Sequence, residues 1–143
     1  MSKGNTFEND WLKLIFNATA IANIADNAAA APLTNIYVSL HTGDPAETGD
    51  QSTNEIAYTG YARVAVARTT GGWTVTANSV SPVADIVFGQ MTAGAGGTVT
   101  HAVAGTASSG AGKLLYKGTV TPNIVVSNGV TPQLPTTSAI TED

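Results

Sequence analysis

Leu33-Thr34-Asn35-Ile36-Tyr37-Val38-Ser39-Leu40-His41-Thr42-Gly43-Asp44-Pro45 is the stretch on which the fold turns. Pro32, just before it, cannot continue a helical hydrogen-bond ladder and restricts the residue that precedes it, so helical patterning stops there. After it the chain changes to short alternating or β-branched runs, and Gly43-Asp44-Pro45 closes the first of them with turn chemistry. The rest of the chain repeats the pattern. Strands are expected at 35–41, 61–68, 73–77, 85–88, 98–105, 113–119 and 123–127, with shorter pairings at 55–58 and 138–141. Gly71-Gly72, Gly94-Ala95-Gly96-Gly97, Ser108-Ser109-Gly110-Ala111-Gly112 and Asn128-Gly129 punctuate them. So many short strands with such spacing predict an antiparallel β-sandwich of jelly-roll type.

Upstream of Pro32 the period is helical. Phe7, Trp11, Leu14, Ile15, Ala18, Ile21, Ala22 and Ala25 fall on one stripe of an amphipathic helix expected over 5–31. Asn5 or Thr6 can cap it, and Glu8 stands at capping-box distance from Asn5. The resulting organisation is a helix and lead-in at 1–32, a sandwich at 33–130 and a C-terminal strand or arm at 131–143, all within one domain.

Composition excludes several classes of function. The chain has 143 residues, enough to bury a core of its own. Its hydrophobic share of 43% is ordinary, but only 11% of residues are charged, less than half the usual level of about 25%. A surface rich in Thr, Ser, Ala and Gly desolvates at little cost and loses little side-chain entropy, which suits packing between subunits. With a net charge of −4 and no basic stripe, direct nucleic-acid binding is not expected. No cysteine is present, so disulfides and thiolate chemistry are excluded. Lys13, Asn17, Asn23, Asp26 and Asn27 interrupt the most apolar stretch, so no membrane span is expected there. The opening residues lack a secretory pattern, which predicts synthesis in the cytoplasm.

No motif assembles a reactive site. Ser39 and His41 share a strand face with Asp44 just beyond, yet all three are local and no G-x-S-x-G elbow is present; a strand-end histidine bonded to a loop is the simpler expectation. Asp44, Glu47 and Asp50 are too few for the oxygens Ca²⁺ takes and do not follow the EF-hand pattern. The run from Gly105 to Leu114 imitates a phosphate loop but has Ala107 where the first glycine belongs and Leu114 where a hydroxyl should hold Mg²⁺. His101 stands alone in a strand. No cofactor, metal or catalytic residue is expected. In 61–68, Val64 and Val66 are expected to face the core while Arg63, Ala65 and Ala67 face outward. The candidate partner-interface residues are therefore Phe7, Trp11 and Ile15 on the helix, Tyr58 and Tyr61 flanking the Thr59-Gly60 turn, and Arg63.

Several stretches together carry a resemblance over nearly the whole chain. They are Lys3-Gly4-Asn5-Thr6-Phe7-Glu8-Asn9-Asp10, the stretch 33–45 quoted above, Tyr58-Thr59-Gly60-Tyr61-Ala62-Arg63-Val64-Ala65-Val66-Ala67-Arg68, the run from Gly105 to Tyr116, and Ile140-Thr141-Glu142-Asp143. In these the chain resembles small tailed-bacteriophage virion structural proteins, labelled tail-fibre-like or, at similar size and architecture, capsid decoration and cement proteins. The resemblance implies a non-enzymatic virion component that forms a homo-oligomer and binds the major capsid protein or other virion subunits. Decoration of the capsid is the leading expectation and a tail or tail-fibre role the alternative. A carbohydrate-binding module is a remote third, since only 6% of residues are aromatic and no carboxylate pair is evident.

Overall fold

The computed structural model describes residues 5–21, 25 and 32–142, the side chain of Asn5 excepted. Along the chain run α1 (Asn5–Phe16), β1 (Asn35–His41), β2 (Val64–Ala67), β3 (Trp73–Thr76), β4 (Ser79–Pro82), β5 (Ile86–Val87), β6 (Gly97–Gly105), β7 (Leu114–Val126), β8 (Gln133–Leu134) and β9 (Ile140–Thr141). Among the described residues the fold is mainly β with a single helix near the N-terminus, and every strand pair with a defined register is antiparallel. Two compact units form, neither contiguous in sequence: Met1–Asn35 with Val66–Asp85 and Pro135–Asp143, and Ile36–Ala65 with Ile86–Leu134.

In the first unit the helix is shorter than its periodicity suggests. It ends at Phe16, not Ala31, because Ala18 takes a left-handed φ of 54°. The amides of Asn17 and Thr19 both return to the Lys13 carbonyl, at 2.9 and 3.1 Å. Arg68 completes the stop by donating to the carbonyls of Leu14 and Ile15. A cation on the last-turn carbonyls satisfies acceptors that have no intrahelical partner and complements the helix dipole. Beyond the helix, Ile21 and Ala25 form an isolated antiparallel bridge, exchanging two backbone bonds of 2.8 and 2.9 Å. The rest of the expected helix, residues 22–24 and 26–31, lies outside the described residues.

The face that α1 buries also differs from the expected stripe. Glu8, Leu12 and Phe16, spaced by four, are buried, whereas Phe7 is exposed and Trp11, Leu14 and Ile15 are half-buried. The side chains of Asn9 and Asn17 donate to the carbonyls of Ala77 (2.7 Å) and Trp73 (3.1 Å). Eight helical residues rise about 12 Å and four strand residues about 13 Å, so α1 can lie antiparallel along β3 with both asparagines in register. Phe16 meets Trp73 edge-on, with ring centroids 4.8 Å apart, and Leu12 and Val80 are buried beside them in this core.

Strand β4 lies outside the expected strands, although Trp73-Thr74-Val75-Thr76-Ala77-Asn78-Ser79-Val80-Ser81-Pro82 alternates throughout. The hairpin pairs Thr76 with Ser79 across a two-residue turn, Ala77-Asn78. Ala77 there has a φ of 52°, a conformation that favours glycine. Ala77→Gly is expected to stabilise the chain by about 0.5–1 kcal/mol, relief of left-handed strain being partly offset by greater unfolded-state entropy. A rise in thermal midpoint by calorimetry is the check. The closing segment is tied down: β9 pairs with β4, and Asn78 and Glu142 exchange two bonds of 2.8 Å each.

In the second unit β1 is central. The four-stranded sheet has the order β2-β1-β6-β7, with β5 and β8 forming a separate two-stranded pair. The two runs expected at 113–119 and 123–127 are one strand, β7, whose pairing with β6 is irregular between Val99 and His101. Ile36, Val38, Leu40, Val99 and Val103 bury the sheet's apolar side chains. Val64 and Val66 are half-buried while Ala65 and Ala67 are exposed, so the alternation read from the sequence holds. Arg63 breaks it: expected to face outward, it is 8% exposed.

Candidate functional site: a buried polar network beneath two loops

Strand β1 leaves the sheet through His41 into the loop 42–54, and β6 passes to β7 through the loop 106–113. Both loops are held from below by side chains that the sequence did not single out as a group.

Glu55 and Arg63 form the centre. Arg63 Nε donates to Glu55 Oε1 and Nη2 to Oε2, both at 2.7 Å, a bidentate ion pair whose side chains are 2% (Arg63) and 16% (Glu55) exposed. The remaining guanidinium donors reach the other loop: Nη1 meets the Ala107 carbonyl at 2.9 Å and Nη2 the Gly110 carbonyl at 2.7 Å. The planar fork suits this task, because it serves a carboxylate and diverging carbonyls at once. The bond to Glu55 holds the guanidinium even more firmly protonated than usual. Tyr61 donates its hydroxyl to Glu55 Oε1 at 2.9 Å and accepts from the Leu40 amide at 3.0 Å. Burial first, and the Glu55 charge with it, push its phenol far above the ordinary value.

Gln51 is the second support. Fully buried, it donates from Nε2 to the Tyr37 carbonyl (3.1 Å) and accepts at Oε1 from the Ala107 amide (2.9 Å), while its own amide donates to Gly112 (3.0 Å). The side chain fits only because Gly105 and Gly112 lack a Cβ; one built on either would stand 2.1 Å or 2.2 Å from Gln51 atoms. Loop residues 108–111 are exposed, whereas Gly112 is buried.

His41 completes the network. It is 0% exposed, its Nδ1 lies 2.9 Å from the Thr53 carbonyl and its Nε2 2.9 Å from Ser39 Oγ. A carbonyl can only accept, so Nδ1 carries the proton and Nε2 of the neutral ring accepts from the serine hydroxyl. This is the loop-bonded strand-end histidine expected from the sequence. The Ser39–His41 pair has the spacing of a nucleophile and base, but Ser39 is also 0% exposed and Asp44 is elsewhere, bonded to Lys117 at 2.8 Å. That exposed pair, together with the Ala46 amide, holds the Asp44 carboxyl below the usual range. Asp50 is likewise lowered, by the Ser52 hydroxyl and amide that cap it. Asp44, Glu47 and Asp50 do not converge, and among the described residues no group of three His, Cys, Asp or Glu could hold a metal ion.

Burial holds the His41 imidazole below its ordinary value, outweighing the Thr53 bond and the Glu55 charge. The unfolded chain therefore binds the proton first. Stability from this group is complete above about pH 6.5 and is lost as pH falls through the depressed folded value. Urea titrations at successive pH values should show that decline, and His41→Gln should flatten it.

The candidate interface residues fall in different places. Phe7, Trp11 and Ile15 lie on α1 in the first unit, with Phe7 and Trp11 ring centroids 6.4 Å apart. Tyr58 and Tyr61 form a packed corner in the second unit, 5.3 Å apart, with Phe88 stacked on Tyr61 and the Tyr58 hydroxyl donating to the Gly89 carbonyl. Gln51 and Glu55 belong to no motif. The only sequence signal for them is indirect, a lone Arg–Glu pair near glycines that a buried side chain requires. Among the described residues no helix is long and apolar enough to cross a membrane.

Compared with known protein families, residues 3–141 match the model described as Podophage GP4 fiber I protein gp80. A comparison with curated proteins gave no match.

Proposed function

The chain belongs to the Podophage GP4 fiber I protein gp80 family, and on that premise we propose that this phage virion structural protein is a fibre component of the tail, acting by subunit contact and not by catalysis. The observation that carries the reading is the extent of the match, residues 3–141 of 143. The family description speaks for a fibre at least as well as for a cement on the capsid lattice. The physical character of the chain agrees: few charges, hydroxyl-bearing strands, and loops fixed by a buried polar network. As a fibre component it forms a homo-oligomer and contacts other virion subunits, without binding nucleic acid or membrane.

Copy number tests this. Quantitative mass spectrometry of purified particles should find far fewer copies than of the major capsid protein. A number comparable with the capsid lattice would replace the fibre by a capsid decoration role, and absence from particles would remove both. Within this reading the exposed Phe7 on α1 is a contact residue. Phe7→Ser is expected to change unfolding free energy by no more than about 0.5 kcal/mol, as at ordinary surface positions, while reducing incorporation into particles in a complementation assay.

A further inference from the structure

Four titratable groups stand in a row across the second unit. His41 is directly opposite His101 in the β1–β6 register. On its other side it forms an antiparallel bridge with Glu55, bracketed by the bonds Thr42 N to Asn54 O and Ile56 N to Leu40 O, both 2.9 Å. That bracketing defines the non-hydrogen-bonded type of pair, in which opposed side chains share a face at the closest spacing. Glu55 in turn grips Arg63, and Arg63 grips the loop at Ala107 and Gly110.

We propose that His41 is an acid-operated latch on this loop, its protonated ring competing with Arg63 for the Glu55 carboxylate and thereby releasing residues 107–112. Among the described residues facing His41, Ser39 and Thr53 can accept its N–H groups but carry no charge, so a counter-charge must come from elsewhere. On its own strand Ser39 offers only a hydroxyl, on the returning segment Thr53 offers a carbonyl already engaged, and on β6 His101 is a second potential cation. Glu55 is the one carboxylate opposite, and both of its oxygens are already bonded, to Arg63 and to Tyr61. Asp50 accepts from Ser52 and Thr53 instead. Two buried cations would then share a single anion, an arrangement that low dielectric penalises. Gln51 lies four residues before Glu55 on the segment that holds the loop, so a shift of Glu55 also costs the loop its bonds at Ala107 and Gly112.

The test uses the full chain in solution, first without substitution and then with Glu55→Gln. Histidine ring signals and backbone amide exchange are followed by NMR from about pH 7.5 to about pH 4.5, with exchange corrected for its intrinsic pH dependence. The latch predicts that the amides of Gln51 and Ala107 exchange about ten-fold faster on the acid side, with the midpoint of the His41 ring, while those of Val38 and Val103 do not follow. Loop exchange that stays flat, or tracks a carboxylate midpoint, overturns the proposal. So does acceleration of all amides together, which would mean global unfolding. In Glu55→Gln the loop should exchange fast at every pH with no step, and a retained His41-linked step would also sink the latch.

Discussion

Arg63→Ala is expected to destabilise the chain by about 3–5 kcal/mol, the range for removing one partner of a buried ion pair. The size comes less from the lost attraction than from what is left behind. Glu55, 16% exposed in the intact chain, would keep a single bond from Tyr61, and the carbonyls of Ala107 and Gly110 would lose their donors. Urea denaturation with a double-mutant cycle against Glu55→Ala separates these contributions. Removing both partners should cost less than the sum of the single changes, because the double variant strands no charge. Arg63→Lys should recover only part of the loss, since an ammonium cannot serve a carboxylate bidentately and two carbonyls together. Strict additivity of the two alanine changes would mean that the pair does not function as a pair.

Gly105→Ala is expected to cost about 2–4 kcal/mol, from overpacking and from hydrogen bonds left unmade. The added Cβ would lie 2.1 Å from Gln51 Cδ, which real atoms do not tolerate. Gln51 is 0% exposed and held at both ends of its amide, so moving away from the new Cβ must give up the Tyr37 carbonyl or the Ala107 amide. Trimming the obstacle tests the account. With Gln51→Ala already present, Gly105→Ala should cost about 1–3 kcal/mol less than it does alone. An unchanged cost would place the strain in the backbone of β6 rather than at Gln51.

Both predictions concern residues whose importance could not be read locally. Gln51 is one amide among many polar residues, and nothing near it in sequence names the Tyr37 or Ala107 groups it joins. Arg63 was misread for a physical reason. Alternation along 61–68 assigns faces correctly for Val64 to Ala67, but it assumes that an outward position meets water, and here the neighbouring loop covers it. The helix was overestimated for a related reason. Periodicity in 5–31 is genuine through Phe16, yet a capping arginine 53 residues from Ile15 and a left-handed alanine end it. Conversely, the loop-bonded histidine at the end of β1 was legible, since it depends on residues adjacent in a strand and the turn that follows.

By itself the sequence determined a mainly β chain with antiparallel strands and a helix near its N-terminus, with few charges and no cysteine. These follow from period, turn residues and composition, which act over a few residues at a time. Only the tertiary structure decided where the helix stops, which of its faces is buried, and that Glu55, Arg63, Gln51 and His41 meet beneath two loops. The reason is distance along the chain: a buried charge is stable only where its partners converge, and the Glu55–Arg63 pair meets the loop more than forty residues later.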